Sequence, residues 1–317
     1  MAEKKYSRDS RVPKKDNGKA AYIVLAFFSV GFIALLLIAF ASMALSVPIM
    51  GECIAVVEIN GEITTQSVPS SMFTEGAYGS YEISQKIYKL NDDSNIAGVL
   101  FIINSPGGSV VGSDEIYRAV DSLDKPTVAY FREMAASGGY YIATPTDYII
   151  SEPNALTGSI GTVMYLAEFS ELADTLGIHD VVIKSGEMKD MGNPMRNMTE
   201  AEQNLLQEVI DEAFADFKSQ IVADRGDKLN YPLYNQALDG RVLSGTMALE
   251  AGLVDELGSR EDALAKTAEL AGLSFTDPSD IQVCMVHTSP EPAGLFDMHT
   301  LINGLFASDS TPTLKYR

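Results

Sequence analysis

Apolar residues in this chain form one long uncharged run followed by many short runs. The long run extends over 26 residues, from Ala20 to Leu45. As a helix it would be ~39 Å long, enough to cross a bilayer hydrocarbon core of ~30 Å with some tilt. We therefore predict a transmembrane anchor over residues 20–46, preceded by a basic tail (1–19) and followed by a short tether (47–53). A cleaved signal peptide is the alternative, but its apolar part is usually only about 7–15 residues long.

The short runs alternate between strand-like and helix-like patterns. Strand-like runs occur at residues 53–59, 97–103, 127–131, 148–151, 161–165 and 180–183, and helical patterns at 81–90, 112–123, 168–176 and 244–252. Nearly all-apolar strands separated by helices are typical of a parallel sheet that is covered on both faces. The pattern therefore predicts an α/β protein.

The longest helix is predicted to begin after Thr199, which has capping-box spacing to Glu202, and to end near Asp224. Its apolar positions recur at intervals of three and four residues, so one face should be buried in the core or against another subunit. Beyond Ala271 the pattern weakens to a strand-like run at 281–287 and an amphipathic stretch at 294–306. The role of this C-terminal extension, residues 272–317, stays open.

Charge is distributed unevenly along the chain. The net charge is −20, yet the first 19 residues carry seven basic and three acidic side chains, so the remainder carries about −24. A basic segment before a membrane span is normally retained in the cytoplasm, which would place the body outside the cell membrane as a single-pass protein. The acidic body argues against nucleic acid as a partner.

Cysteine and histidine are too scattered to indicate a metal site. Cys53 and Cys284 lie far apart and show no metal-ligand spacing, so we expect two small buried apolar side chains rather than a disulfide. His179, His287 and His299 are equally dispersed, and we expect structural roles for them. No metal and no other cofactor is implied.

Candidate chemistry lies in two glycine loops that follow strand-like runs. These are "NSPGGS" (104–109) and "ASGG" (136–139), and the second contains Ser137. Glycine after a strand lets backbone N–H groups point into a cavity unobstructed, as an oxyanion hole requires. Two such loops in consecutive strand, loop and helix units predict a site for acyl chemistry.

The base for Ser137 is harder to find. Position 135 is alanine, so the G-x-S-x-G turn of α/β-hydrolases is absent, and a Ser-His-Asp triad is disfavoured. Lysine can replace histidine if burial brings its pKa well below its ordinary value of ~10.4. Lys184 and Lys189 both precede the long helix, and composition does not choose between them.

Five segments in order resemble one known family. They are "NSPGG", "ASGGYY", "LTGSIGTV", "KSGEMKDM" and "GRVLSGTMALEAGLVDELGS". Together they are similar to the signal peptide peptidase A family of bacterial membrane serine proteases, in its short single-domain form. The resemblance implies a protease domain over residues 54–271, with the Clp protease/crotonase-like α/β fold and its repeated ββα units.

The resemblance also assigns roles to individual residues. It implies that Ser137 is the nucleophile and Lys189 the general base, which demotes Lys184. It implies that Ser159 orients the lysine, and that Gly138 and Gly108 supply the oxyanion-hole N–H groups, with Gly107 left as the alternative to Gly108.

The expected function is a membrane-anchored serine endopeptidase that cleaves residual signal peptides, or other unfolded peptides near the membrane. In the relatives that carry two fused copies of the domain, the active site is shared between the two copies. For a chain with one copy, the resemblance therefore implies a homo-oligomer whose sites are shared between subunits. The alternatives are a crotonase-like acyl-CoA enzyme and a non-catalytic membrane scaffold that binds peptides.

Overall fold

A computed structural model of the chain describes residues 52–70 and 76–290. The predicted tail, the predicted anchor, all but the last two residues of the tether, and the amphipathic stretch at 294–306 lie outside the described residues. Within the described ranges, no helix is both long and apolar enough to cross a membrane.

Strands and helices alternate through the first half of the described chain. The strands are β1 (Cys53–Asn60), β2 (Ile96–Ser105), β3 (Thr127–Ala136), β4 (Tyr148–Ser151), β5 (Leu156–Gly158), β6 (Val242–Ser244), β7 (Glu256–Leu257) and β8 (Val283–Val286). The α-helices are α1 (Ser80–Tyr88), α2 (Val110–Asp121), α3 (Gly138–Tyr141), α4 (Ser170–Leu176), α5 (Glu200–Arg225), α6 (Tyr231–Ala237), α7 (Gly245–Glu250) and α8 (Arg260–Leu270).

All eight strands belong to one sheet, and its strands are mostly parallel. The main path runs β6-β5-β3-β2-β1-β8, while β4 pairs with both β3 and β7. Among the named strands of the described residues, β5 and β6 are the one antiparallel pair. Strand β3 is central, since it pairs with β2 on one side and with β4 and then β5 on the other. The predicted parallel α/β sheet is confirmed.

Both faces of the sheet are covered, as the all-apolar strands indicate. Alternate residues of β1 face opposite ways: Val57 joins the larger core cluster, with α1, α2 and α5, and Val56 joins the smaller one beneath α8. Both valines are fully buried. The carboxyl ends of β2 and β3 therefore project from a rigid, doubly covered layer.

The prediction that the cysteines are unpaired was wrong. Cys53 and Cys284 form a disulfide across a separation of 231 residues. Strand β8, which lies in the C-terminal extension, pairs in parallel with β1 and brings the two side chains together. Sequence separation concealed this contact, because only the sheet topology makes β1 and β8 neighbours.

Two predicted strands do not form. Residues 161–165 and 180–183 belong to no named strand, and the side chains of Val181 and Ile183 are 83% and 96% exposed. A strand needs a neighbouring strand for its backbone hydrogen bonds, and within the described residues these segments form no ladder beyond an isolated bridge at Met164. Among the named elements of the described residues, each of the first three strands is followed by a helix, so this part of the sheet does not repeat the predicted ββα unit.

The long helix α5 begins as predicted. Thr199 accepts a hydrogen bond from the N–H of Glu202, whose carboxylate accepts from the N–H of Thr199 in return. Its predicted apolar face is only partly buried within one chain: Phe217 is buried, whereas Leu205 and Val209 are exposed. The first half of α5 therefore stands away from the core.

Candidate active site

Ser137 occupies the tight turn between β3 and α3. Its backbone has φ 53° and ψ −121°, a conformation that residues other than glycine rarely adopt. Three hydrogen bonds fix it: the Ser137 N–H donates to the Gly158 carbonyl over 2.9 Å, and its carbonyl accepts from the N–H groups of Tyr140 and Tyr141 over 3.0 Å each. Tyr140 is fully buried and donates from its hydroxyl to the Leu253 carbonyl, which ties α3 to the core.

Ser159 also has a positive φ. Among the described residues, Ser137 and Ser159 are the two non-glycine residues with positive φ, and that of Ser159 is 49°. Strained backbone of this kind concentrates at functional sites, where the surrounding structure holds it. Gly158 links the two serines, since it precedes Ser159 and accepts the hydrogen bond from Ser137. The structure thus brings together two predicted site residues 22 positions apart.

The two glycine loops meet at this turn. Ser105 and Ala135 are register partners at the ends of the parallel strands β2 and β3, so the loops that follow them are neighbours. They touch so closely that a Cβ on Gly107 would lie 2.6 Å from the Gly138 nitrogen, and one on Gly108 would lie 2.1 Å from the Ile63 carbonyl oxygen. Only glycine fits at these contacts.

The same loops present two free N–H groups beside Ser137. The Gly107 N–H donates to the Ser105 hydroxyl, whereas those of Gly108 and Gly138 have no acceptor among the described residues. Unengaged donors next to a serine hydroxyl can stabilise a negative oxygen. This favours Gly108 over Gly107 as the second oxyanion donor.

Two cavities open at Ser137. The larger, of about 800 Å³, is also lined by Gly108, Ser159 and the side of α5 that carries Asp211. The smaller, of about 390 Å³, lies between α2 and the adjacent side of α5. A cleft along both sides of a reactive serine can hold an extended peptide and its side chains.

Neither candidate lysine lines these cavities. Lys189 lies in the 3₁₀ turn Glu187–Asp190, exposed, and its amine has no partner among the described residues. Lys184 is engaged, since its Nζ lies 2.6 Å from Asp190 and donates to the Glu187 carbonyl. Within one chain, the structure brings Ser137, Ser159, Gly138 and Gly108 together and leaves Lys189 outside their cleft.

A cluster of charges fixes the lysine loop to the start of α5. Arg196 pairs with Asp190 over 2.9 Å and with Glu202, the capping-box residue, over 2.5 Å. The hydrogen bond from Arg196 is the largest cause that holds the pKa of Asp190 well below its usual range, with Lys184 second. The same guanidinium, followed by the Thr199 N–H, lowers the pKa of Glu202 to about 2. Sequence analysis missed this cluster, because ion pairs between a loop and a helix cap leave no periodic pattern.

Within residues 52–70 and 76–290, no group of three His, Cys, Asp or Glu side chains is placed to hold a metal ion. Tyr141, beside the smaller cavity, donates from its hydroxyl to Asp114 over 3.4 Å. Burial first, and then the charge of Asp114, raise the pKa of Tyr141 well above its ordinary value, so this hydroxyl keeps its proton.

Comparison with known proteins identifies the family of the chain. Peptidase family S49 matches residues 119–274, which include Ser137, Ser159 and Lys189, and the Clp protease family matches residues 76–157. A proposed protease of Synechocystis sp. is 36% identical over 218 residues, which are 68% of this chain and 76% of that protein. The chain belongs to peptidase family S49. Its sheet is accordingly a mixed α/β fold of the Clp protease type.

Two further relatives are longer than the region they share with this S49 chain. A proposed protease of Methanocaldococcus jannaschii is 42% identical over 58% of this chain, and a proposed signal peptide peptidase SppA of Enterococcus faecium is 35% identical over 65% of it. The match spans 60% of the length of each of these two proteins. A solved structure of the membrane-bound stomatin-specific protease 1510-N covers 75% of this chain and 98% of its own at 14% identity, with a TM-score of 0.47.

Proposed function

We propose that this S49 chain is a membrane-anchored serine endopeptidase with Ser137 as nucleophile and Lys189 as general base. The observation that carries the proposal is the turn at Ser137. A strained serine between a buried strand and a short helix, beside two unengaged N–H groups, is the arrangement that acyl transfer needs.

Each step can be assigned to one of the predicted residues. The neutral amine of Lys189 takes the proton from the Ser137 hydroxyl as Oγ bonds to the carbonyl carbon of the scissile peptide. The N–H groups of Gly138 and Gly108 stabilise the resulting oxyanion. The lysine ammonium then returns the proton to the leaving amine, and a water molecule deprotonated by the same amine hydrolyses the acyl-enzyme. Ser159 orients the amine by a hydrogen bond.

The base comes from a second copy of the chain in this proposal. Lys189 lines neither cavity at Ser137, and the segment before it exposes apolar side chains that one chain does not bury. A closed homo-oligomer would cover these side chains and carry Lys189 into the cleft of a neighbour, within reach of the Ser137 hydroxyl.

Two features support this proposed location: the N-terminal segment and the disulfide. The uncharged run at 20–45 is long enough to span a bilayer, and disulfides persist mainly in oxidising compartments outside the cytoplasm. The tether would hold the body close to the membrane, where residual signal peptides lie. The name of the Enterococcus faecium relative agrees with signal peptides as substrates.

Labelling with a serine-reactive fluorophosphonate tests the nucleophile. The full-length protein in detergent should be labelled, and Ser137→Ala should lose the label together with peptidase activity, by at least about a thousandfold. Ser122→Ala, at the end of α2, serves as the matched control and should keep both. Peptide binding without any labelling would instead identify a non-catalytic scaffold.

The same preparation tests the base. Lys189→Met should be as inactive as Ser137→Ala while keeping its thermal unfolding midpoint, and Lys184→Met should retain most activity. Equal inactivation by both lysine variants, with normal unfolding, would contradict the assignment of Lys189.

A further inference from the structure

The smaller cavity at Ser137 combines apolar walls with carboxylates. Val111 of α2 and Phe217 of α5 are among the residues that form its walls, and Ser137 and Gly138 lie at the catalytic end. Its volume of about 390 Å³ is large enough to hold one long side chain. Since the cavity opens directly at the nucleophile, a substrate side chain next to the scissile bond is its natural occupant.

Three carboxylates line this cavity, and no lysine, arginine or histidine does. Asp114 is already paired with Arg118 over 2.6 Å. Glu212 and Asp216 stand one turn apart on α5, and neither side chain has a basic partner among the described residues. Like charges at this spacing repel each other, so a cation between them would be favoured.

The groups that line the cavity differ in burial. Ser113 and Phe217 are buried, whereas Val111, Glu212 and Asp216 are exposed. Phe217 therefore forms the apolar wall nearer the protein interior, and Val111 and the two carboxylates lie nearer the solvent. A long side chain in the cavity has both apolar walls and carboxylates around it.

An independent observation concerns the hydroxyl of Ser113. It is the buried side-chain polar atom in the described part of the chain that lacks a hydrogen-bond partner, and Ser113 is only 3% exposed. Its Oγ would lie 2.2 Å from a Cβ on Gly138, so it sits directly beside the catalytic turn. A buried hydroxyl without a partner is costly, which indicates that the ligand brings a hydrogen-bonding group into the cavity.

We propose that this cavity binds a lysine or arginine side chain of the peptide substrate beside the scissile bond. The aliphatic stem packs on Val111 and Phe217, and the cationic end meets Glu212 and Asp216, the division that long basic side chains adopt. This specificity rests on the proposed function, since it presumes a peptide that reaches Ser137.

Matched peptides test the specificity with the full-length enzyme in detergent. Cleavage sites are first mapped by mass spectrometry in a peptide pool, and lysine or arginine should be enriched at one position beside the cut. At that position, lysine is then compared with norleucine, which has the same stem without the charge. We expect kcat/KM to be at least about tenfold higher for lysine and the preference to shrink as salt rises.

The carboxylates are tested by isosteric neutral variants. The double variant Glu212→Gln with Asp216→Asn should lose the preference for lysine and cleave the norleucine peptide as well as the unchanged enzyme does. Glu208→Gln, on the same helix but outside both cavities, should keep the preference. A preference for norleucine, or one that survives the double variant, overturns the inference while leaving the peptidase activity established.

Binding separates this inference from the proposed function. Ser137→Ala, which cannot turn over, should bind a fluorescent lysine peptide more tightly than the norleucine peptide, by fluorescence anisotropy. If neither the unchanged enzyme nor any variant cleaves a peptide, the proposed function fails. The binding comparison still tests whether the cavity prefers a basic side chain. Equal affinity for the two peptides overturns the inference.

Discussion

The two halves of the proposed dyad lie in differently built regions. The serine region, residues 96–160, contains the buried strands β2 and β3 and loops whose glycines touch neighbouring backbone. The lysine region, residues 161–199, contains no named strand, and Tyr165 in it is 71% exposed. One chain can thus preorganise the nucleophile through its core, whereas the surroundings of the base are held by surface ion pairs and leave apolar side chains uncovered.

The largest expected effect comes from mixing inactive variants. Ser137→Ala and Lys189→Ala chains are each expected to be inactive alone, and they are then co-assembled at a one-to-one ratio. A shared site is intact where the Lys189→Ala chain supplies the serine and the Ser137→Ala chain supplies the lysine. Random assembly makes this about a quarter of the sites. We expect about a quarter of the unaltered activity, measured on a peptide substrate after the variants are dissociated, mixed and reassembled.

Proof of subunit mixing is the necessary control. Differently tagged chains should co-purify after reassembly. If they do so and no activity returns, the lysine and the serine of each site come from the same chain, and the contrast between the two regions would not reflect a shared site.

An added methyl group should distinguish the packing of the two regions. On Gly139 a Cβ would lie 2.7 Å from the Ser105 carbonyl oxygen, whereas on Gly186, in the lysine region, it would meet nothing within 4 Å. Gly139→Ala should therefore lower the free energy of unfolding by about 1–3 kcal/mol, and Gly186→Ala should change it by less than about 0.5 kcal/mol. Denaturant unfolding of both variants measures the difference, and equal losses would refute it.

Acid should loosen the lysine region selectively, which is the smallest effect. Arg196 holds the pKa of Asp190 and of Glu202 below their usual values, to about 2 for Glu202 against 4.5. A carboxyl group whose pKa is lowered by folding stabilises the folded state at pH values above its ordinary pKa. This stability is lost as the pH falls from about 4.5 towards 2. Amide hydrogen exchange across residues 184–199, corrected for intrinsic rates, should therefore speed up over that range.

Substitution of the arginine sharpens this test. Arg196→Met should already show fast exchange in this segment at pH 7 and respond little to further acidification. Lys266→Met, which removes a surface ion pair with Glu269 on α8, should leave the segment unchanged. Undiminished protection in Arg196→Met would show that the ion pairs do not hold the loop.

Local signals in the sequence predicted much of the fold. The apolar runs of β1, β2 and β3 are intrinsic to a buried parallel strand, and the capping box at Thr199 lies within four residues of the chain. The same logic failed at 180–183, where an apolar run of the right composition has no strand beside it. Strand formation depends on a partner, and a local pattern cannot report whether one exists.

What the sequence determined by itself was the set of groups and the local conformations that they demand: apolar strands, glycine loops after β2 and β3, and a serine in the second loop. Tertiary structure alone decided which groups meet. It paired Cys53 with Cys284, brought Ser159 to Ser137 through Gly158, set the carboxylates of α5 beside the nucleophile, and kept Lys189 out of the cleft of its own chain. The physical reason is that each of these contacts depends on the order of strands in the sheet and on the helices packed against it, which place distant segments side by side.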